Sequence, residues 1–110
     1  MNYIAMNRFR VSVEGAGDFE DMWASRESRL KEVPGFIEFR MLKGGEEDGI
    51  RTYSSHVIWE SKADFENWTQ SDHFRAAHAN VGKSEGRKAI MGPPKFEGFE
   101  TILYEDMKGD

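Results

Sequence analysis

Residues 44–49, GGEEDG, interrupt two stretches that both alternate apolar and polar side chains, FIEFRMLKG (36–44) and RTYSSHVIWE (51–60). A short turn rich in glycine and acids between two period-two segments predicts an antiparallel hairpin. In the second stretch Tyr53, Ser55, Val57 and Trp59 share one face. A hairpin at the middle of a short chain needs further strands and a covering layer to bury that face. The flanking sequence has to supply them, and this limits the folds available.

Both are present in order. Residues 2–13 alternate as a strand, with Asn7, Phe9, Val11 and Val13 on one face and Arg8, Arg10 and Ser12 on the other. Residues 15–33 carry Phe19, Met22, Trp23, Arg26, Leu30 and Val33 at helical spacing, and VPGF (33–36) ends that helix. SKADFENW (61–68) opens a second helix, with Ser61 as N-cap and Asp64 three residues later, resembling a capping box. A second cap at Ser71 starts SDHFRAAHANV (71–81), so the helix is expected to bend or divide there. Residues 82–94 hold several breakers and read as a loop, and KFEGFETILYE (95–105) reads as the last strand. The order is βαββαβ, an α+β ferredoxin-like arrangement of an antiparallel sheet with both helices on one face. The opposite sheet face also carries bulky apolar groups. Two such faces closing on each other in a homodimer, a dimeric β-barrel, is the simplest way to cover them.

The whole chain, 1–110, reads as a single domain. With no cysteine, thiol catalysis, disulfides, zinc fingers, iron–sulfur clusters and covalent haem attachment are excluded, and a reducing compartment fits. A formal charge of −5 argues against nucleic acid as a partner. No apolar run approaches membrane-spanning length, so the expectation is a cytoplasmic protein with no membrane partner. Eight Phe, three Trp and three Tyr supply broad apolar surfaces for a core, an interface or a flat ligand.

Few residues depart from an ordinary core. Asn7 puts a carboxamide on the apolar face of the first strand. A buried amide usually fixes register or bonds a nearby loop, and an unpaired one costs on the order of 1–3 kcal/mol. His78 shares an apolar stripe with Phe74, Ala77 and Val81, and Ala76, Ala77 and Ala79 leave room for a bulky planar group to reach its imidazole. A histidine on such a stripe is commonly a core residue, but a neutral imidazole is also a good ligand for haem iron. His56 and His73 lack this collar of small residues. Trp68 lies ten residues before His78, about 15 Å along an unbroken helix, so the two could line one large flat ligand. Arg26 sits on the apolar stripe of the first helix, where a cation snorkels, pairs with a glutamate or meets a ligand carboxylate. Lys83, Arg87 and Lys88 fit a solvated surface better than a site. No Ser-His-Asp set or phosphate loop is visible, and GGEEDG lacks the spacing of a Ca²⁺ loop.

Together these residues resemble a known family. VIWESKADFENWTQSDHFRAAH (57–78) matches the run W-x-S-x-x-x-F-x-x-W-x-x-S-x-x-F-x-x-A-H at every fixed position: Trp59, Ser61, Phe65, Trp68, Ser71, Phe74, Ala77 and His78. With NRF at 7–9, the chain resembles the IsdG-type haem-degrading monooxygenases of the antibiotic-biosynthesis monooxygenase superfamily. The resemblance implies an O₂-dependent oxidoreductase in which haem is both substrate and oxygen-activating cofactor, supplied by an external electron donor. It implies His78 as the axial ligand of haem iron, Asn7 as a hydrogen-bond donor on the distal side, and Trp68 pressing on the porphyrin. Phe74 is placed with them against the ligand, and Arg26 is assigned to a propionate from its own position. Two other activities fit the same fold: a cofactor-independent monooxygenase of an aromatic polyketide or quinol, and a non-catalytic haem-binding dimer.

Overall fold

A computed structural model describes residues 2–26, 29–72, 74 and 85–107. Strand β1 spans Tyr3–Ser12, helix α1 Ala16–Ser25, strand β2 Phe36–Glu47 and strand β3 Ile50–Trp59. Helix α2 spans Lys62–Thr69, a short helix α3 Glu85–Lys88, and strand β4 Lys95–Glu100. The strands form one sheet in the order β2-β3-β1-β4, and every pairing is antiparallel. This is the expected ferredoxin-like α+β fold.

The hairpin closes more tightly than the sequence reading placed it. β2 continues to Glu47, and only Asp48 and Gly49 turn, with φ of 54° and 79°. Two consecutive residues at positive φ match the right-handed twist of the flanking strands, and Asp-Gly adopts that geometry readily. The glycines at 44 and 45 fall instead at a register shift between Lys43 and Glu46.

Tyr3, Ala5, Phe9 and Val11 of β1 are buried on the helix side. They divide between two clusters. Phe9 and Val11 pack with Phe19, Tyr53 and Ala89 beneath α1 and α3. Tyr3 and Ala5 pack with Val33 and Trp59, against Phe65 and Trp68 of α2. Trp59 and Phe19 are completely buried, and truncating either to alanine would cost about 3–5 kcal/mol. Asn7 occupies the position between the clusters. On the opposite face Ile4, Met6 and Ile58 are half-buried with no covering helix among the described residues, while Leu42 and Phe99 are exposed.

Three element boundaries depart from expectation. Helix α1 ends at Ser25, because Arg26 turns extended (φ −66°, ψ 144°), and a separate 3₁₀ turn covers Leu30–Glu32. Residues 85–88, expected as loop, form α3, which packs on α1, and Ile90 then bridges to Val11. β4 stops at Glu100, beyond which Ile102, Leu103, Tyr104 and Met107 are exposed. Alternation alone could not mark that end, since apolar residues continue past it.

Candidate active site

The register builds the site from one row across the sheet. Met41, Ser55, Asn7 and Phe96 are successive cross-strand partners, so all four side chains stand on the helix face. The Asn7 backbone N–H donates to Ser55 Oγ at 3.1 Å, which satisfies that buried hydroxyl. Among the described residues the Asn7 carboxamide itself has no hydrogen-bond partner. The amide that the sequence singled out is therefore half-buried between two apolar clusters without a structural bond to explain it.

Aromatic rings wall this row on the α2 side. Phe96 stacks on Phe65 with centroids 5.5 Å apart and planes within 10°. Trp68 lies 5.4 Å from Trp59 and 4.8 Å from Phe74, the last nearly edge-on at 86°. Caps hold them in place. Ser61 Oγ accepts from Asp64 N–H at 3.1 Å and starts α2 as expected. The Ser71 hydroxyl donates to the Trp68 carbonyl at 2.6 Å and accepts from Phe74 N–H at 3.2 Å. Ser71 thus ends one turn and begins the next, which is the break foreseen there. Trp68 and Phe74 are brought together by that cap. His78, with Ala76, Ala77, Ala79, His73 and Lys83, lies outside the described residues.

Arg26 sits elsewhere. It follows α1 rather than riding on its stripe, and its guanidinium lies 4.8 Å from the Trp23 ring centroid and 4.7 Å from that of Phe39. The two rings are themselves stacked, 5.9 Å apart at 21°. Burial pulls the Arg26 pKa below its usual value, though it remains a cation at neutral pH. Arg26 lines a cleft of about 340 Å³ with Leu30, Lys31, Phe36, Ile37, Glu38 and Phe39 at the edge strand β2. Phe39 pairs with Val57 and Val57 with Ala5, so Arg26 stands two strands away from Asn7, roughly 10 Å across the sheet. A ligand reaching both would have to be broad and flat.

One residue near Asn7 escaped the sequence reading. Tyr3 faces the same way, is 6 % exposed, and leans across to β4, where a Cβ on Gly98 would overlap its hydroxyl. The signal was available in the alternation, since positions 3, 5 and 7 share a face. What the sequence could not show is that Gly98 lies opposite Ala5. A separate polar cluster ties α1 to the hairpin: the Tyr53 hydroxyl donates to Glu20, whose Oε2 also meets Lys43 Nζ at 3.0 Å. Burial, then the Glu20 carboxylate, pushes the Tyr53 pKa up to about 12. The hydrogen bond from Tyr53 and the contact with Lys43 lower that of Glu20.

Comparison with known proteins places this geometry. The family described as antibiotic biosynthesis monooxygenase matches residues 2–80. A Staphylococcus epidermidis protein named heme oxygenase (staphylobilin-producing) is 53% identical over 61 residues, 56% of this chain and 59% of that relative. A heme-degrading monooxygenase of Shouchella clausii is 38% identical over 64 residues, 58% of each. The matched stretches thus span somewhat over half the length of these curated relatives. Among solved structures, MhuD, a heme-degrader from Mycobacterium tuberculosis with two hemes bound in its active site, shares the fold. It superposes with a TM-score of 0.73 at 21% identity, over 94% of this chain and 99% of that one. SnoaB, a cofactor-independent oxygenase from Streptomyces nogalater, superposes at 0.67 and 18% identity, over 94% and 95%. Among the described residues no helix is long and apolar enough to cross a membrane, and no group of three or more His, Asp or Glu could hold a metal ion. The chain belongs to the antibiotic biosynthesis monooxygenase family.

Proposed function

We propose that this chain is a haem-degrading monooxygenase of the IsdG type, cleaving the porphyrin with O₂ and an external reductant and releasing iron. The observation that carries the reading is the Asn7 carboxamide, half-buried in an apolar face and without a partner among the described residues. Its nitrogen and oxygen are not among the fully buried unpartnered atoms of the described residues, so the carboxamide stays open on that face and can donate to a bound ligand. The haem oxygenase and heme-degrading relatives support haem as that ligand. The donors and walls present fit it: an amide that can donate, aromatic faces at Trp68 and Phe74, and a guanidinium at Arg26.

Haem, as the substrate, supplies the iron at which O₂ is activated. The protein supplies the rest. His78 would hold the haem iron through its imidazole. Asn7 would donate a hydrogen bond to the oxygen substrate and orient it toward the porphyrin. Trp68, backed by Trp59 and braced by Phe74, would press on the macrocycle, one of the means by which a protein tunes haem. Phe65 and Phe96 exclude water from the Asn7 side. Arg26, set beside the stacked pair of Trp23 and Phe39, meets a propionate where the macrocycle reaches the β2 edge. The apolar outer face of the sheet is covered by a second copy, giving a homodimer with two sites, acting in the cytoplasm.

The test is one equivalent of hemin per protomer, followed by ascorbate with catalase under air. Protein-dependent loss of the Soret band with iron release supports the proposal. A shifted Soret band that persists under reductant and O₂ would make the chain a haem-binding module. No perturbation on adding hemin would point to the cofactor-independent chemistry carried by SnoaB on the same fold.

A further inference from the structure

We infer that the Tyr3 hydroxyl is a second hydrogen-bonding group of the Asn7 site, donating to an oxygen or anionic ligand bound there. The inference rests on the haem reading above and extends it to a residue outside the matched motif.

Tyr3, Ala5 and Asn7 are alternate residues of β1 and share the helix face, as their burial shows for the first two. Tyr3 is 94 % buried by the same measure, yet among the described residues its hydroxyl makes no hydrogen bond. Its ring does not stand straight up from the strand. It leans onto β4, where Gly98 is the partner of Ala5. A Cβ on Gly98 would overlap the Tyr3 Oη and lie 2.7 Å from Cζ, so only glycine admits the hydroxyl at that place. The same point is 3.3 Å from Phe96 Cζ, and Phe96 is the cross-strand partner of Asn7. Gly98 and Asn7 are therefore diagonal neighbours across one ladder, about 7–8 Å apart. Two unpartnered polar groups, a phenol and a carboxamide, stand on either side of Ala5, roofed by Phe65 at 5.3 Å from the Tyr3 ring.

Two features of this corner are not explained by packing. The Tyr3 ring is buried, but its Oη is not among the fully buried unpartnered atoms of the described residues, so the hydroxyl stays open to a ligand, and phenylalanine would give the same ring packing without it. Glycine within a strand adds conformational freedom to the unfolded chain and often marks a close approach by another group. Both become intelligible when the hydroxyl has an acceptor in the bound state. Tyr3 then acts with Asn7: the carboxamide fixes one direction of the ligand atom and the phenol a second. A ligand atom held from two directions has a fixed orientation, which a single donor cannot impose.

The substitution Tyr3→Phe removes the hydroxyl and keeps the ring. Azide is the probe, added to the ferric haem complex and followed in the Soret region. The expected result is a ligand-free protein melting close to the wild-type temperature, haem affinity within about twofold, and azide affinity reduced about tenfold. Gly98→Ala, which displaces the hydroxyl by the Cβ overlap, should give the same azide loss. Azide affinity unchanged in Tyr3→Phe would overturn the assignment and leave Tyr3 as packing beneath Phe65. Failure of the wild-type protein to perturb the hemin spectrum would overturn the haem reading itself, and the ligand assigned to Tyr3 with it.

Discussion

Replacing Asn7 by leucine should stabilise the ligand-free protein while abolishing haem turnover. The carboxamide is half-buried, lies between Ala5 and Phe9, and has no hydrogen-bond partner among the described residues. Leaving a polar group unpaired costs about 1–3 kcal/mol when burial is complete, so half-burial puts the cost near 1 kcal/mol. Leucine has a similar volume, suits a strand better, and adds a few tenths of a kcal/mol or more through apolar contact with Phe9 and Phe96. The sum is about 1–2 kcal/mol. For 110 residues, at about 2.1 cal/mol/K of unfolding entropy per residue, this raises Tm by roughly 4–8 °C. The assay is a thermal melt followed by circular dichroism, at one fixed protein concentration because any self-association would contribute to apparent stability. A fall in Tm of about 4 °C or more would refute the reasoning, because it would mean that the amide holds the fold together. A rise in Tm with intact turnover would separate Asn7 from the chemistry.

Three further outcomes are expected. His78→Ala should abolish the ferric-haem Soret signature and leave the sedimentation coefficient unchanged; unchanged iron coordination would remove the ligand assignment. Ser71→Ala should lose about 1 kcal/mol, because one hydroxyl both caps Phe74 N–H and holds the Trp68 carbonyl, and haem affinity should fall with it. The Tyr53 pKa is raised to about 12 in the folded chain, so the native state holds its proton more tightly than the unfolded state does. Stability conferred this way is complete below about pH 10 and is lost, by roughly 2 kcal/mol, as pH rises from about 10 toward 12. Urea melts across that range should flatten in Tyr53→Phe, and an identical pH profile would refute the assignment.

The hairpin, the strand-helix order and the Ser61 and Ser71 caps were all readable in the sequence. Each depends on local chemistry: alternation, turn residues, and hydroxyls three residues ahead of an N–H. Asn7 was readable too, because strand period two puts an odd residue visibly on the wrong face. The end of α1 was not. Arg26 keeps helical spacing with Met22 and Trp23, but its cation packs beside the stacked pair of Trp23 and Phe39 of β2, a contact that only the tertiary fold supplies. The same limit hid α3, whose four residues carry no helical period and are held by packing on α1. It hid Tyr3 as well, since its partner glycine is 95 positions away in the chain.

Asn7 belongs to a strand hydrogen-bonded on both sides, to β3 and to β4. Moving it means breaking two ladders at once, so its amide should be among the slowest in the chain to exchange with deuterium. Trp68 and Phe74 are placed instead by the end of an eight-residue helix, the Ser71 hydroxyl and ring packing against Trp59 and Phe65. Any adjustment to a larger or differently shaped ligand therefore falls on the helical wall, while the sheet keeps its aim. Substitutions around Ser71 should change what is accepted, and substitutions on β1 should change what is done to it.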